Sequence, residues 1–171
     1  MAYAVEILTY QSDFKTRIKA ILDAVAQVIA GGWTVYPYRN LLPGGKYIAI
    51  WHGAGSYNFE HSEQWVVKSV TIHIDIIGGF RTEGFQTEDA SDIHTITDDI
   101  LPPIELALLT SFLDGFITSD FTDPPEYLWA LGPELVSDSG ELTERAAGIN
   151  GQVIGESLSF NVDFQLNITG A

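Results

Sequence analysis

Four histidines, twenty-three carboxylates and no cysteine set the chemistry open to this 171-residue chain. His52 and His61 bracket a stretch that also holds Glu60 and Glu63, and folding could bring these metal-ligating types together. No HExxH or other recognised ligand spacing accompanies them, so ordinary surface or interface histidines are the stronger reading. His94 and Asp98 stand four apart on a predicted helix, where they could ligate a metal, exchange a proton or simply share a surface hydrogen bond. The last is the commonest outcome of that spacing. Asp98-Asp99, near a helix start, complements the macrodipole without further function. Gly53 and Gly55 in "HGAGSYN" lack the third glycine of a dinucleotide fingerprint, and no GK[ST] follows. A turn between hairpin arms accounts for them better. There is no GxSxG, and the absence of cysteine excludes disulfides, thiolate nucleophiles and thiolate metal sites. Asn167-Ile168-Thr169 matches a glycosylation sequon, which reads as chance without a secretory route. No catalytic residue, cofactor or metal is expected, and the enzyme reading has no positive support.

Charge narrows the partners. The formal charge is −15, and it is unevenly placed. Residues 1–81 carry seven Lys/Arg against six Asp/Glu, whereas residues 82–171 carry Arg145 alone against seventeen acids. Such a chain does not grip a phosphate backbone by charge neutralisation, which needs clustered Lys/Arg. Trp33, Trp51, Trp65 and Trp129 have no basic residues interleaved with them, so they read as core or interface aromatics and not as base-stacking platforms. The acidity can serve solubility alone. It can also mark a self-complementary subunit whose near-neutral end meets a neighbour's acidic end, a head-to-tail contact that closes into a ring if the rotation allows. On that reading the candidate contact residues are Lys15, Lys19, Arg39, Glu141, Glu144 and Arg145.

The composition, 46% hydrophobic and 12% aromatic, is that of one globular domain. No apolar run reaches the roughly 18–20 residues of a membrane span, and no basic n-region precedes an apolar stretch. A cytoplasm, or a particle assembled in one, is the expected location. Phe14, Ile18, Ile21, Leu22, Val25, Val28 and Ile29 predict one amphipathic helix, capped by Ser12 or Asp13 and ended by Gly31-Gly32. "WTVYPY" is a short strand that Pro37 pushes to a sheet edge. "KYIAIWH" and "WVVKSVTIHIDII" predict a long hairpin joined through "GAGSYNFEHSEQ". "GGFRTEGFQTEDAS" reads as a loop, with Ser91 or Asp92 capping a second helix through Ile93, Ile96, Ile100, Leu101 and Ile104. Pro102-Pro103 predicts a kink or break there. Residues 110–152 read as irregular, with "EYLWAL" a plausible strand. "SDSGELTERAAGINGQ" reads as a mobile loop or arm, from which "SDSGELTERAAG" should be removable without loss of the fold.

The closing segment alternates strictly: Leu158, Phe160, Val162, Phe164, Leu166 and Ile168 on one side, Ser159, Asn161, Asp163, Gln165 and Asn167 on the other. The hairpin's second arm repeats this, with Val66, Val70, Ile72, Ile74 and Ile76 opposed to Ser69, Thr71, His73 and Asp75. The two strands are expected to share a sheet with one covered and one wet side. The fold class is α/β (α+β): a mainly antiparallel or mixed sheet, packed on one face by two helices, in a single domain spanning residues 1–171.

This order of elements resembles the tail terminator (tail completion) and neck proteins of tailed bacteriophages. It is carried by the first helix ending at "GGWTVYPYRN", the long hairpin, the acidic-capped helix "EDASDIHTITDDI" and the alternating last strand. The resemblance implies a structural virion subunit in a hexameric ring at the tail–neck junction, assembled in the host cytoplasm. Such a ring caps the tail tube protein, contacts neck or connector proteins, and passes DNA transiently and without sequence preference through its channel; no membrane is involved. Ser159, Asn161, Asp163 and Gln165 would then face the channel or solvent, where acidic and amide groups let a duplex slide. Another head–tail connector or neck protein, or a cellular binding module, remains the alternative.

Overall fold

The computed structural model describes residues 5–6, 10–39, 46–59, 65–82, 85–86, 94–113, 131–141 and 151–167. In chain order these form β1 (Val5–Glu6), α1 (Tyr10–Asp23), α2 (Ala26–Ala30), β2 (Thr34–Tyr36), β3 (Tyr47–Asn58), β4 (Trp65–Thr82) and β5 (Phe85–Gln86). A π-helical turn (Thr95–Ile100), α3 (Leu101–Leu113), β6 (Leu131–Glu141) and β7 (Gly151–Asn167) follow. The fold is α+β, with a mixed sheet ordered β1-β7-β4-β3-β2. β5 returns along β4, and β6 runs beside β7. The β1–β7 and β2–β3 pairs are parallel, while β3–β4, β4–β7 and β6–β7 are antiparallel.

Period-two alternation puts one face of β4 and β7 under the helices. Ile72, Ile74, Ile76, Leu158, Phe160, Phe164 and Leu166 are all buried there. Tyr10, Phe14, Ile18 and Leu22 recur every four residues along α1 and meet them. Ile96, Ile100, Leu101, Ile104 and Leu108 join the same cluster from the π-helical turn and α3. Phe164 holds Phe14 and Tyr10 edge-on, with ring centroids 5.0 and 4.9 Å away. Each fully buried aliphatic or aromatic side chain of this kind contributes about 1.5–3 kcal/mol.

The first helix is not continuous. It starts at Tyr10, so Ser12 and Asp13 fall inside its first turn, and it breaks at Ala24-Val25 before α2. Rotation at that break leaves Ile29 65% exposed while Val25 and Val28 stay buried. Gly31-Gly32 does end the run, as expected. Gly32 adopts φ 69°, its N–H reaches Ile29 O, and Trp33 N–H reaches Val28 O, so a left-handed residue satisfies two last-turn carbonyls. Trp33 then packs beside Val28 in the core.

Other expected boundaries also move. β3 runs on through "GAGSYN", so Gly53 and Gly55 lie in a strand, at a register shift between His52 and Gly55, and not in a turn. β4 continues through Gly78-Gly79 to Thr82 past a second shift, where a loop was expected. At Pro102-Pro103 the helical run does not end, but it changes just before them from a π-helical turn at Thr95–Ile100 to an α-helix from Leu101. The pair opens α3 directly behind that turn, and because proline donates no N–H and crowds the preceding turn, the irregularity falls in that widened turn. Ser137–Glu141, expected in a mobile arm, belong to β6 and pair with β7. Deleting "SDSGELTERAAG" would therefore remove half an edge strand. Ser91, Asp92, Ile93 and most of "EYLWAL" lie outside the described residues.

Among the described residues β2 is an edge strand, as Pro37 suggested, and pairs only with Tyr47–Ala49 of β3. Phe164→Ala should cost about 3–5 kcal/mol by cavity formation, read as a lowered urea midpoint with an unchanged m-value. Phe160→Asp, which buries an unpaired carboxylate, should abolish cooperative unfolding altogether.

Candidate functional site on the polar face of the sheet

The antiparallel register of β4 with β7 sets Ser69 opposite Asp163, Thr71 opposite Asn161, His73 opposite Ser159 and Asp75 opposite Ser157. Each rung is closed by a side-chain hydrogen bond. Ser69 Oγ donates to Asp163 Oδ1 at 2.5 Å and Thr71 Oγ1 to Asn161 Oδ1 at 3.1 Å. Ser159 Oγ lies 3.0 Å from His73 Nδ1, and Ser157 Oγ donates to Asp75 Oδ1 at 2.8 Å. Two strands bonded to each other thus turn their polar side chains into a ladder.

The ladder has two unlike ends. At the Asn161–Asp163 end the rungs are exposed or half-exposed. At the other end Trp51 lies over them. Its ring stacks on His73 (centroids 4.2 Å apart, 19° between planes), and its Nε1–H donates to Asp75 Oδ2 at 2.7 Å. The Arg39 guanidinium sits 4.7 Å above the same indole, a cation–π contact on its outer side. Under this cover Asp75, Ser157 and Ser159 are buried. Ser159 was expected to face a channel or solvent. It is 7% exposed and bonded to His73, because the Arg39–Trp51–His73 stack roofs that half of the face. Gly53 makes the stack possible: a Cβ there would stand 2.5 Å from His73 Nε2.

Serine, histidine and aspartate are the types of an acyl-transfer relay, but their arrangement is not one. Both Asp75 oxygens are taken by Trp51 and Ser157, so the carboxylate does not orient the His73 ring. Burial lowers the His73 pKa and the nearby Arg39 charge adds to this, while Asp75 pulls the other way. The group is an internally bonded network. Among the described residues no cluster of three His, Asp or Glu could hold a metal, and no helix is long and apolar enough to cross a membrane.

Of the other expected site residues, Lys19 forms an ion pair with Asp23 one turn along α1. Lys15 is half-exposed on α1, and Arg39 is engaged with Trp51. Glu141 stands opposite Glu156 in the β6–β7 register. Gln165 lies on β7 opposite Val67. Glu144, Arg145 and His61 fall outside the described residues, so the His52–His61 pairing does too. Thr97 Oγ1, and not His94, bonds Asp98, at 3.2 Å.

On the helix side of the sheet, sequence reasoning missed a second group. Lys68 Nζ donates to Tyr10 Oη at 2.8 Å and lies over the rings of Tyr10 and Tyr57. Burial would lower the Lys68 pKa, but its hydrogen bonds to Tyr10 and Tyr57 outweigh that and raise it. His52 contacts Tyr10 edge-on at 6.4 Å, and its buried Nε2 has no partner among the described residues. Burial, then the charges of Lys15 and Lys68, lower its pKa to about 4. No local motif announces this cluster, since its members come from α1, β3 and β4. Neither a protein-family model nor a curated protein sequence matches the chain.

Gly53→Ala should displace the His73 ring and cost about 1–3 kcal/mol, with a shift in Trp51 fluorescence as the stack opens. His52 gives a pH signature. The unfolded imidazole takes a proton near 6.5 and the folded one only at about 4, so stability falls as pH drops through that window and levels below it. At about 1.4 kcal/mol per unit, discounted for partial exposure, the loss is about 1–2 kcal/mol. Denaturant titrations of wild type and His52→Gln across that range should differ by this slope.

Proposed function

We propose that this chain is a structural assembly subunit, a tail terminator of a tailed bacteriophage, acting as a hexameric ring that caps the tail tube and joins it to the neck. The observation that carries the reading is the exposed half of the polar ladder. There Ser69 and Thr71 are bonded to Asp163 and Asn161 across the strands, so the face offers engaged hydroxyls, an amide and a carboxylate, and no base among the described residues. Such a surface holds phosphate poorly: the carboxylate repels it, and the two hydroxyl donors are already engaged. That suits a wall past which a duplex moves. The order of helix, edge strand, hairpin, helix and alternating last strand supports the same reading by resemblance, and the acidic skew of residues 82–171 fits a head-to-tail contact.

Native mass spectrometry, alone and with tail tube protein, should show a closed ring of six. Asn161→Lys with Asp163→Lys should leave a folded subunit that gains salt-sensitive affinity for duplex DNA, which wild type lacks. Localisation in the particle decides the identity: labelling at the head-proximal end of the tail is expected. Labelling inside the neck would make the chain a connector, and a monomer with tube protein present would sink the ring.

A further inference from the structure

We propose that Lys15, Lys68, Tyr57 and Phe59 form the receiving half of a contact with a second copy of this chain, whose β6 edge supplies the carboxylates. The inference rests on the assembly reading above, because it needs that second copy. Lys68 is held in place by its bond to Tyr10 and by the Tyr10 and Tyr57 rings, 5.6 and 5.0 Å from its Nζ. It is therefore pre-organised, which lowers the entropic cost of engaging an anion. Neither Lys68 nor Lys15 is in an ion pair among the described residues. Both lie near enough to His52 for their charges to oppose its protonation. These are two positive charges acting on one place in a chain of net charge −15.

Beside the lysines, Tyr57 and Phe59 stack at 5.9 Å and are 50% and 73% exposed. Exposed aromatics around a fixed cation are what excludes water from an interfacial ion pair. Among the described residues no strand lies beside β3 at Tyr57, since β2 pairs with Tyr47–Ala49. The opposite edge of the sheet carries β6, with Glu134, Asp138 and Glu141 along it. Opposite edges with opposite charge meet when copies associate head to tail. Two lysines are too few to hold a nucleic-acid backbone against the protein's own charge, so a carboxylate is the favoured anion.

The full chain would be followed by sedimentation velocity over protein and NaCl concentration, with thermal unfolding as the folding control. Lys15→Glu with Lys68→Gln should weaken association by roughly tenfold or more and flatten its salt dependence. Adding Glu134→Lys and Asp138→Lys to the same chain should restore it. In wild type, NMR should show the His52 pKa rising on assembly, as a carboxylate arrives beside it. Wild type that assembles while the folded lysine variant assembles equally well overturns this contact and leaves the assembly reading standing. Wild type that stays monomeric at every concentration, with tail tube protein present as well as alone, overturns both. Duplex DNA that binds wild type and is lost in the lysine variant would show a phosphate site and overturn the proposal.

Discussion

The antiparallel pairing of β4 with β7 is the constraint on which the other features hang. It runs from Trp65 opposite Asn167 to Thr82 opposite Gly151, with one shift between Ile77 and Gly79. Both strands alternate with period two, so this register lays Ile72 beside Phe160 and Ile74 beside Leu158 under the helices. The same register lays Thr71 beside Asn161 and His73 beside Ser159 on the far side. A slip of one residue would turn every one of these side chains to the wrong face. Core and polar ladder are therefore two consequences of a single alignment.

Among the described residues helices cover only one of the two faces, and the other is divided by what reaches over it. Where Trp51 lies on His73, a polar network becomes buried, and burial is tolerable because each member finds a partner. Where nothing comparable reaches, the Ser69–Asp163 and Thr71–Asn161 rungs stay accessible. Strand glycine serves the first arrangement directly, since a side chain at position 53 would occupy the His73 ring's place.

Charge is arranged on the same frame. α1 and the β3–β4 hairpin hold Lys15 and Lys68 around the neutral His52, and β6 carries acidic residues at the opposite edge. The strand order thus sets basic and acidic residues apart across the sheet as well as along the sequence, an uneven distribution of charge. An uneven field of that kind favours one relative orientation of two copies over the others.

The sequence by itself determined which segments alternate, which residues form the helical stripe, that Gly31-Gly32 stops the helix, and that β2 lies at an edge. These are local properties: side-chain period, the glycine φ and the proline ring act over a few neighbours. It also determined that β4 and β7 carry matching polar faces. Tertiary structure decided that Ser159 is buried while Asn161 is exposed, because Arg39 and Trp51 arrive from segments more than a hundred residues away in sequence. It decided that "GAGSYN" and "SDSGE" are strands, since partners on β4 and β7 supply backbone bonds that outweigh weak local propensity. Pro102-Pro103 marked the place of an irregularity but not its form, since the helical run continues through them and only the packed structure puts a π-helical turn before the pair. The Lys68–Tyr10–His52 cluster had no local signature at all, because only the packing of α1 on the hairpin assembles it.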